Sequence, residues 1–227
     1  NTWSNQKTRN PAWIAYWLMT QSPALVEHVP ASRIDLNSFA DFAAHCYTNG
    51  LECRMVVDAQ ITARDLLSKV LACGLGDLGN RDGRYCVVFD RNVSSATAEL
   101  SPLDIKEFSA SRQFIRLPHA LRVQFKNPEA DWQDDEIIVL RDGYSYRGKD
   151  ARGNPSSEPA ATLFETLRLE WAMLPKQAWR VGRYHLAQGE FRSTVYSFTT
   201  DISGLGIVRG DVVDVAHDVA EWGTGWG

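Results

Sequence analysis

Four acidic side chains that lie close together in the sequence are the first group whose types could do chemistry. Clustered carboxylates can hold a hard cation, or can act as an acid and a base in glycoside hydrolysis. The segment lacks the alternating Asp or Asn positions and the glycine turn of a calcium loop, and no acidic residue stands out from its neighbours as a buried one. We therefore interpret the cluster as a solvated hairpin tip; its members are Asp131, Asp134, Asp135 and Glu136.

A second candidate is the glycine pattern GxGxxG, which residues 74–79 match. In a dinucleotide-binding site this pattern follows a strand and opens a helix, so that the N-terminus of the helix faces the pyrophosphate. Here the pattern follows a predicted helix and precedes a turn and a strand, which is the reverse order. We interpret it as the end of a helix and the loop that follows.

The cysteines and histidines do not form a recognisable metal or nucleophile motif. The sequence has no CxxC pair, no histidine at a ligand interval from a close cysteine pair, and no HExxH or GxSxG motif. Each cysteine lies in an apolar run, which favours buried, reduced thiols. We predict no catalytic, cofactor-binding or metal-binding residue among Cys46, Cys53, Cys73, Cys86, His28, His45, His119, His185 and His217.

The eight tryptophans could stack on sugars if they were exposed, as in a carbohydrate-binding module. Trp13, Trp17, Trp171 and Trp179 recur at spacings that predict a position facing the core, so we interpret them as packing residues. Trp222 and Trp226 stay undecided, because the sequence ends directly after them.

The composition is that of an ordinary globular protein, with 44% hydrophobic and 23% charged residues. The formal net charge is −4, whereas a dedicated nucleic-acid-binding protein usually carries a basic stripe. No apolar run is long enough to span a bilayer. The chain begins at Asn1 rather than Met and ends in a glycine- and tryptophan-rich segment, so we expect an internal fragment of a longer polypeptide.

Three helices are predicted in the first third of the chain. Asn10 and Pro11 suit an N-cap and a first helical position, and this helix should extend to about Thr20. The third helix should begin at the capping-box residues Thr62 and Asp65. The second should run from about residue 35 to residue 50, with a buried stripe formed by Leu36, Phe39, Ala43, Cys46 and Tyr47.

Short strands are predicted at residues 54–57 and 85–89, and after about residue 101 strands predominate. The later predicted strands are residues 120–125, 136–140, 167–173, 193–200 and 211–216, with a helix that begins at Pro175. The sum is an α+β fold with a helical N-terminal part and a small sheet, followed by a largely antiparallel β part. We place the domain boundary near residue 100, which divides the chain into residues 1–100 and 101–227.

Several short segments, taken in order, resemble the central tail-tip proteins of phages with long non-contractile tails. These are also called host-specificity or tip attachment proteins. The similarity covers nearly the whole chain in a consistent order. The segments are residues 10–16 (NPAWIAY), 33–36 (RIDL), 43–46 (AAHC), 82–84 (DGR), 117–125 (LPHALRVQF), 176–179 (KQAW) and 210–213 (GDVV).

This resemblance implies a structural hub similar in fold to the baseplate hubs of contractile phages. It implies a helical α+β hub subdomain at residues 1–100 and a β-rich, barrel-like hub subdomain at residues 101–227, incomplete at its C-terminus. In such a hub, three chains form a ring that continues the tail tube, closes it before infection and lets DNA pass after host attachment.

The partners implied by the resemblance are two further copies of the chain, other tail-tip and tail-tube proteins, and DNA that passes without specific binding. A host receptor would be bound by parts outside this chain. The implied location is the virion tail tip, with assembly in the bacterial cytoplasm. We keep two alternatives, a receptor- or carbohydrate-binding module and a tail-associated cell-wall hydrolase.

Overall fold

The computed structural model describes residues 7–23, 27–57, 60–112, 116–150 and 152–216. Within these ranges the chain forms four α-helices and nine β-strands, so the predicted α+β class is confirmed. No helix in the described ranges is long and apolar enough to cross a membrane.

The first three helices begin where their capping residues predict, and the second also ends where its glycine predicts. Helix α1 (Pro11–Thr20) begins after Asn10, whose side-chain oxygen accepts a hydrogen bond from the Ala12 amide at 3.0 Å. Helix α2 (Leu36–Asn49) begins after Asp35 and ends at Gly50, which adopts the left-handed conformation. Helix α3 (Ala63–Ala72) begins after Thr62, whose hydroxyl accepts from the Asp65 amide at 3.2 Å.

These helices pack together with a hairpin of strands β1 (Gly76–Arg81) and β2 (Arg84–Phe89) around one hydrophobic core. The hairpin approaches the helices closely because it is rich in glycine. A Cβ atom on Gly76 would lie 2.7 Å from the ring of Phe42, so a larger residue would push the hairpin away. The largest fully buried side chains of this core are Met19, Phe39, Phe42 and Leu71.

Three predictions for this part of the chain are wrong. Leu36 and Tyr47 are exposed, because the buried face of α2 is set by Phe39, Phe42, Ala43 and Cys46, and Tyr47 lies about 100° around the helix from Cys46. Residues 54–57 are not a strand, since only Arg54 meets Ala172 in an isolated bridge. Residues 76–79 of the glycine pattern belong to strand β1 rather than to a loop, because they pair with β2 over the full length of the hairpin.

A second core lies under a three-stranded sheet. Strand β5 (Ala120–Asn127) is central, with β6 (Gln133–Leu140) antiparallel to it and β7 (Phe164–Ala172) parallel to it. Helix α4 (Pro175–Phe191) packs on the sheet, and it can do so closely because Gly182 faces Val123 and Val139. The side chains buried here include Val123, Phe125, Val139, Met173 and Val181.

Two small sheets complete the described structure. Strand β3 (Ala98–Leu100) pairs in parallel with β9 (Val213–Val215), and β4 (Ile105–Arg112) pairs antiparallel with β8 (Thr194–Thr200). Across the described ranges, three of the five strand pairings are antiparallel, and the four sheets do not join into a closed barrel.

The two cores meet at helix α4 and the end of β7. Trp171 packs against both of them. The amide of Gln177 on α4 donates hydrogen bonds to the backbone oxygens of Glu52 at 2.9 Å and Cys73 at 3.0 Å. A polar side chain from the second half of the chain thereby connects two segments of the first half.

Candidate assembly surface

The sheet formed by β4 and β8, which we call the ribbon, lies outside both hydrophobic cores. Most of its residues are exposed along the length of both strands. A two-stranded antiparallel sheet is at best marginally stable alone in water, so a ribbon of this kind is typically stabilised by a further surface.

One face of the ribbon is aromatic. Tyr196 and Phe198 are two residues apart on β8 and therefore point to the same side. The ring of Phe108 on β4 lies between them, 5.9 Å from the ring of Tyr196 and 6.4 Å from that of Phe198, with small interplanar angles. Tyr196 is exposed although it belongs to this stack. The stack holds the two strands together and presents an apolar surface to the outside.

Further exposed apolar side chains lie at one end of the ribbon. Ile105 pairs with Thr200, so the chain before β4 and the chain after β8 are neighbours there. Leu103 precedes this end and is 94% exposed, and Ile202 and Leu205 follow it and are also exposed. Exposed apolar groups that collect in one place mark a binding surface more often than single ones do.

Polar contacts fix the geometry of the same end. Lys106 forms an ion pair with Asp201 at 3.1 Å, and the Thr199 hydroxyl donates to the Glu107 carboxylate at 3.2 Å. The register shifts between Lys106 and Ser109, and Glu107 has a positive φ of 55°. A bulge bends its strand and interrupts regular pairing locally, and Phe108 of the aromatic stack lies within this one.

The outer edges of the ribbon are open within the described structure, where neither β4 nor β8 pairs with a third strand. An open edge offers backbone N–H and C=O groups to a strand of another chain. The ribbon therefore combines an aromatic face, an apolar end and two strand edges, which is the chemistry of a protein–protein contact rather than of a reaction.

The acidic cluster is distributed along a hairpin and is engaged in cross-strand contacts. Asp131 adopts a left-handed turn conformation, while Asp134, Asp135 and Glu136 lie on β6. Asp134 faces Lys126 across the sheet, and the Asn127 amide donates to Asp135 at 2.8 Å. In the part of the chain that the structure describes, no group of three or more such side chains is placed to hold a metal ion.

The histidines have separate environments. His28 contacts the backbone oxygen of Ser22, and His119 stacks on Tyr144 with 4.1 Å between ring centroids. Burial lowers the pKa of His45 and of His185, with the Asp90 carboxylate opposing the shift at His45. His217 lies outside the described residues.

All four cysteines are buried, as predicted for core residues. Burial raises the pKa of the Cys46 thiol to about 12. The hydrogen bond with Cys53 and burial also raise the pKa of the Cys73 thiol. Thiols in this state are poor nucleophiles, which fits a packing role.

The prediction for the tryptophans is partly wrong. Trp13 packs against the first core and Trp171 against both cores, as expected. Trp17 is 46% exposed and Trp179 is 50% exposed, because each lies one helical position away from its buried face. Trp222 and Trp226 lie outside the described residues.

Comparison with known proteins gives a likeness in structure but none in sequence. No protein-family model matches the sequence, and no curated protein is significantly similar to it. Among solved structures, the chain is similar to a tail protein from Neisseria meningitidis MC58, with a TM-score of 0.46 and 10% sequence identity. The match covers 73% of this chain and 48% of that protein, so the chain spans about half the length of the protein it matches.

Proposed function

We propose that the chain is a structural component of the tail tip of a phage or prophage, where it forms part of a trimeric hub. The ordered sequence segments that resemble tail-tip proteins support the tail assignment. The ribbon carries the assembly role, because it places an aromatic face and two open strand edges outside both cores.

The energetics of the ribbon favour contact with another chain. Full burial of a large apolar side chain is worth about 1.5–3 kcal/mol relative to exposure. A contact that covered the exposed residues of the ribbon and its neighbours would therefore gain several such contributions, enough to offset part of the cost of association. These residues are Leu103, Phe191, Val195, Tyr196, Ile202 and Leu205.

Within this hub, residues 1–100 form the helical subdomain and residues 101–227 the β-rich subdomain. Copies of the chain and other tail proteins would cover the ribbon in the assembled ring. The formal net charge of −4 suits a wall that DNA passes without sticking. Receptor binding would belong to other parts of the polypeptide, and assembly would take place in the bacterial cytoplasm.

Genetic complementation tests the proposal. A phage that lacks the encoding gene would be complemented with the full-length gene carrying Tyr196→Lys, which places a charge on the aromatic face of the ribbon. The matched control is Tyr47→Lys, which changes an exposed tyrosine far from the ribbon in sequence. Burying an unpaired charge in a contact is costly, so we expect Tyr196→Lys to lower the yield of complete tails at least about tenfold.

The control should leave the yield of tails unchanged. Both substitutions are at exposed positions, so circular dichroism should show that both variant chains fold like the parent. Equal yields of tails for the two variants would show that the aromatic face of the ribbon is not a contact in the assembled tail. Complete, infectious tails from a phage without the gene would overturn the structural role itself.

A further inference from the structure

A cleft of about 540 Å³ lies between the C-terminal end of α2, the segment that follows β2, and one face of α4. This volume is within the range of ligand-binding clefts. Its lining combines aromatic, cationic and amide side chains with one carboxylate, that of Asp90, which is neutralised by an ion pair with Arg192. Those that carry the argument are His45, Asn49, Trp179, Arg180, Arg183 and Tyr184.

Within the described part of the chain, Arg180 is the cation of the cleft that has no counter-ion. Arg183 is engaged by Asp142 and by the Leu140 oxygen, each at 2.8 Å, and Arg91 forms an ion pair with Asp41. Arg180 forms no ion pair or hydrogen bond with any residue that the structure describes. It is half-buried, with its guanidinium close to the backbone of Gly50.

A half-buried guanidinium without a partner is well suited to an external anion. Its planar fork of N–H donors matches the two oxygens of a carboxylate. The guanidinium loses part of its hydration without gaining an ion pair within the described structure. An arriving carboxylate therefore does not have to displace another anion.

Trp179 provides a flat apolar surface beside this cation. Its side chain is 50% exposed, and the Arg183 guanidinium lies 6.0 Å from its ring, within the range of a cation–π contact. Arg183 is itself fixed by Asp142 and Leu140, so it limits the freedom of the indole. An exposed, oriented indole is a stacking surface for the C–H face of a sugar ring.

Polar groups on α2 complete the set. The Asn49 amide nitrogen donates to the His45 backbone oxygen at 3.0 Å, and its carbonyl oxygen remains available as an acceptor for a hydroxyl group. The His45 ring is held by Phe42 and Phe89, at centroid distances of 6.5 and 5.0 Å. These two side chains offer directional hydrogen bonds next to the indole and the guanidinium.

We propose that this cleft binds an acidic saccharide, with one sugar ring stacked on Trp179 and the carboxylate of that sugar or its neighbour on Arg180. A single unpaired cation beside a flat aromatic face fits one carboxylate on a ring better than the many phosphates of a nucleic acid. The proposal is independent of the tail assignment, because it depends only on the side chains of the cleft.

Isothermal titration calorimetry of the 227-residue chain tests it. The probe is a hyaluronan tetrasaccharide, in which glucuronate alternates with N-acetylglucosamine, and chitotetraose is the neutral counterpart. Loss of a hydrogen bond to a charged group weakens binding by about tenfold or more, so Arg180→Gln should raise the Kd for hyaluronan by that factor. Trp179→Ala should weaken hyaluronan binding to a similar degree.

Matched controls are Arg64→Gln and Trp17→Ala, which change an exposed arginine and an exposed tryptophan that do not line the cleft. Both should keep the Kd of the parent chain. Equal affinity for chitotetraose and hyaluronan would refute the role of the carboxylate, and equal affinity for tetraglutamate would refute a saccharide as the ligand. No binding of the hyaluronan probe by the folded parent chain would overturn the proposal as a whole.

Discussion

Replacement of Gln177 by methionine tests how the two cores are held together. Gln177 is 2% exposed, and its amide donates to the backbone oxygens of Glu52 and Cys73. Methionine has nearly the same length and volume, so the packing around α4 should survive. The substitution removes both hydrogen bonds and leaves the two carbonyl groups without this donor.

The size of the effect follows from these two bonds. A buried polar group that loses its partner costs about 1–3 kcal/mol, so two of them cost about 2–6 kcal/mol. The methionine side chain is more apolar than glutamine, and its burial offsets about 1 kcal/mol of this cost. We therefore expect the free energy of unfolding to fall by about 1–5 kcal/mol.

Urea unfolding followed by circular dichroism and tryptophan fluorescence measures this difference. The control is Gln188→Met on the same helix, because the Gln188 side chain forms no hydrogen bond within the described structure. Its free energy of unfolding should stay within about 0.5 kcal/mol of the parent value. A loss for Gln177→Met no larger than that of the control would refute the role of Gln177 in joining the cores.

Two further predictions concern packing and protonation. Gly182→Ala should destabilise the chain by about 1–3 kcal/mol in urea unfolding, because a Cβ there would lie 2.8 Å from Val139. Gly189→Ala, which meets only the end of the Leu117 side chain, should be neutral or stabilising, and the reverse order would contradict the packing of α4. Because burial raises the pKa of Cys46 to about 12 from 9.0, the folded state keeps this proton longer than the unfolded state. The contribution of this thiol to the free energy of unfolding should be fully present below about pH 9 and should be lost as the pH rises toward about 12. Cys46→Ala should flatten this slope in unfolding measured at several pH values. An unchanged slope would contradict the burial of the thiol.

Local signals in the sequence predicted much of the first half of the fold. The caps at Asn10, Asp35 and Thr62 act on neighbouring amides, so they are visible without knowledge of the tertiary structure. The left-handed conformation of Gly50 is likewise a local property. Strands β5 and β7 alternate in burial, which the pattern of apolar residues also showed.

Features that depend on distant contacts were missed. Strand β1 contains two glycines, a residue type that disfavours strands, but close packing requires them, because Gly76 lies against Phe42 and Gly79 against Val88. Strand β4 is exposed along nearly all of its length, so it shows no alternation of apolar and polar residues.

The candidate sites also depended on tertiary structure. Helical spacing placed Trp179 near the core, but the position of the sheet under α4 decides that Ala178 is buried and Trp179 exposed. The aromatic stack of the ribbon joins Phe108 to residues about ninety positions away, as does the salt bridge of Lys106 with Asp201. No local pattern reports such pairings.

Localisation within the virion tests the central claim most directly. Antibodies raised against the chain, labelled with gold and applied to tails purified from the phage or prophage that encodes it, would be viewed by electron microscopy. The tail-tip assignment predicts gold at one end of each tail, at the end away from the capsid, and none on tails from a strain without the gene. Gold along the tube or at the capsid end, or tails that lack the chain altogether, would contradict the assignment.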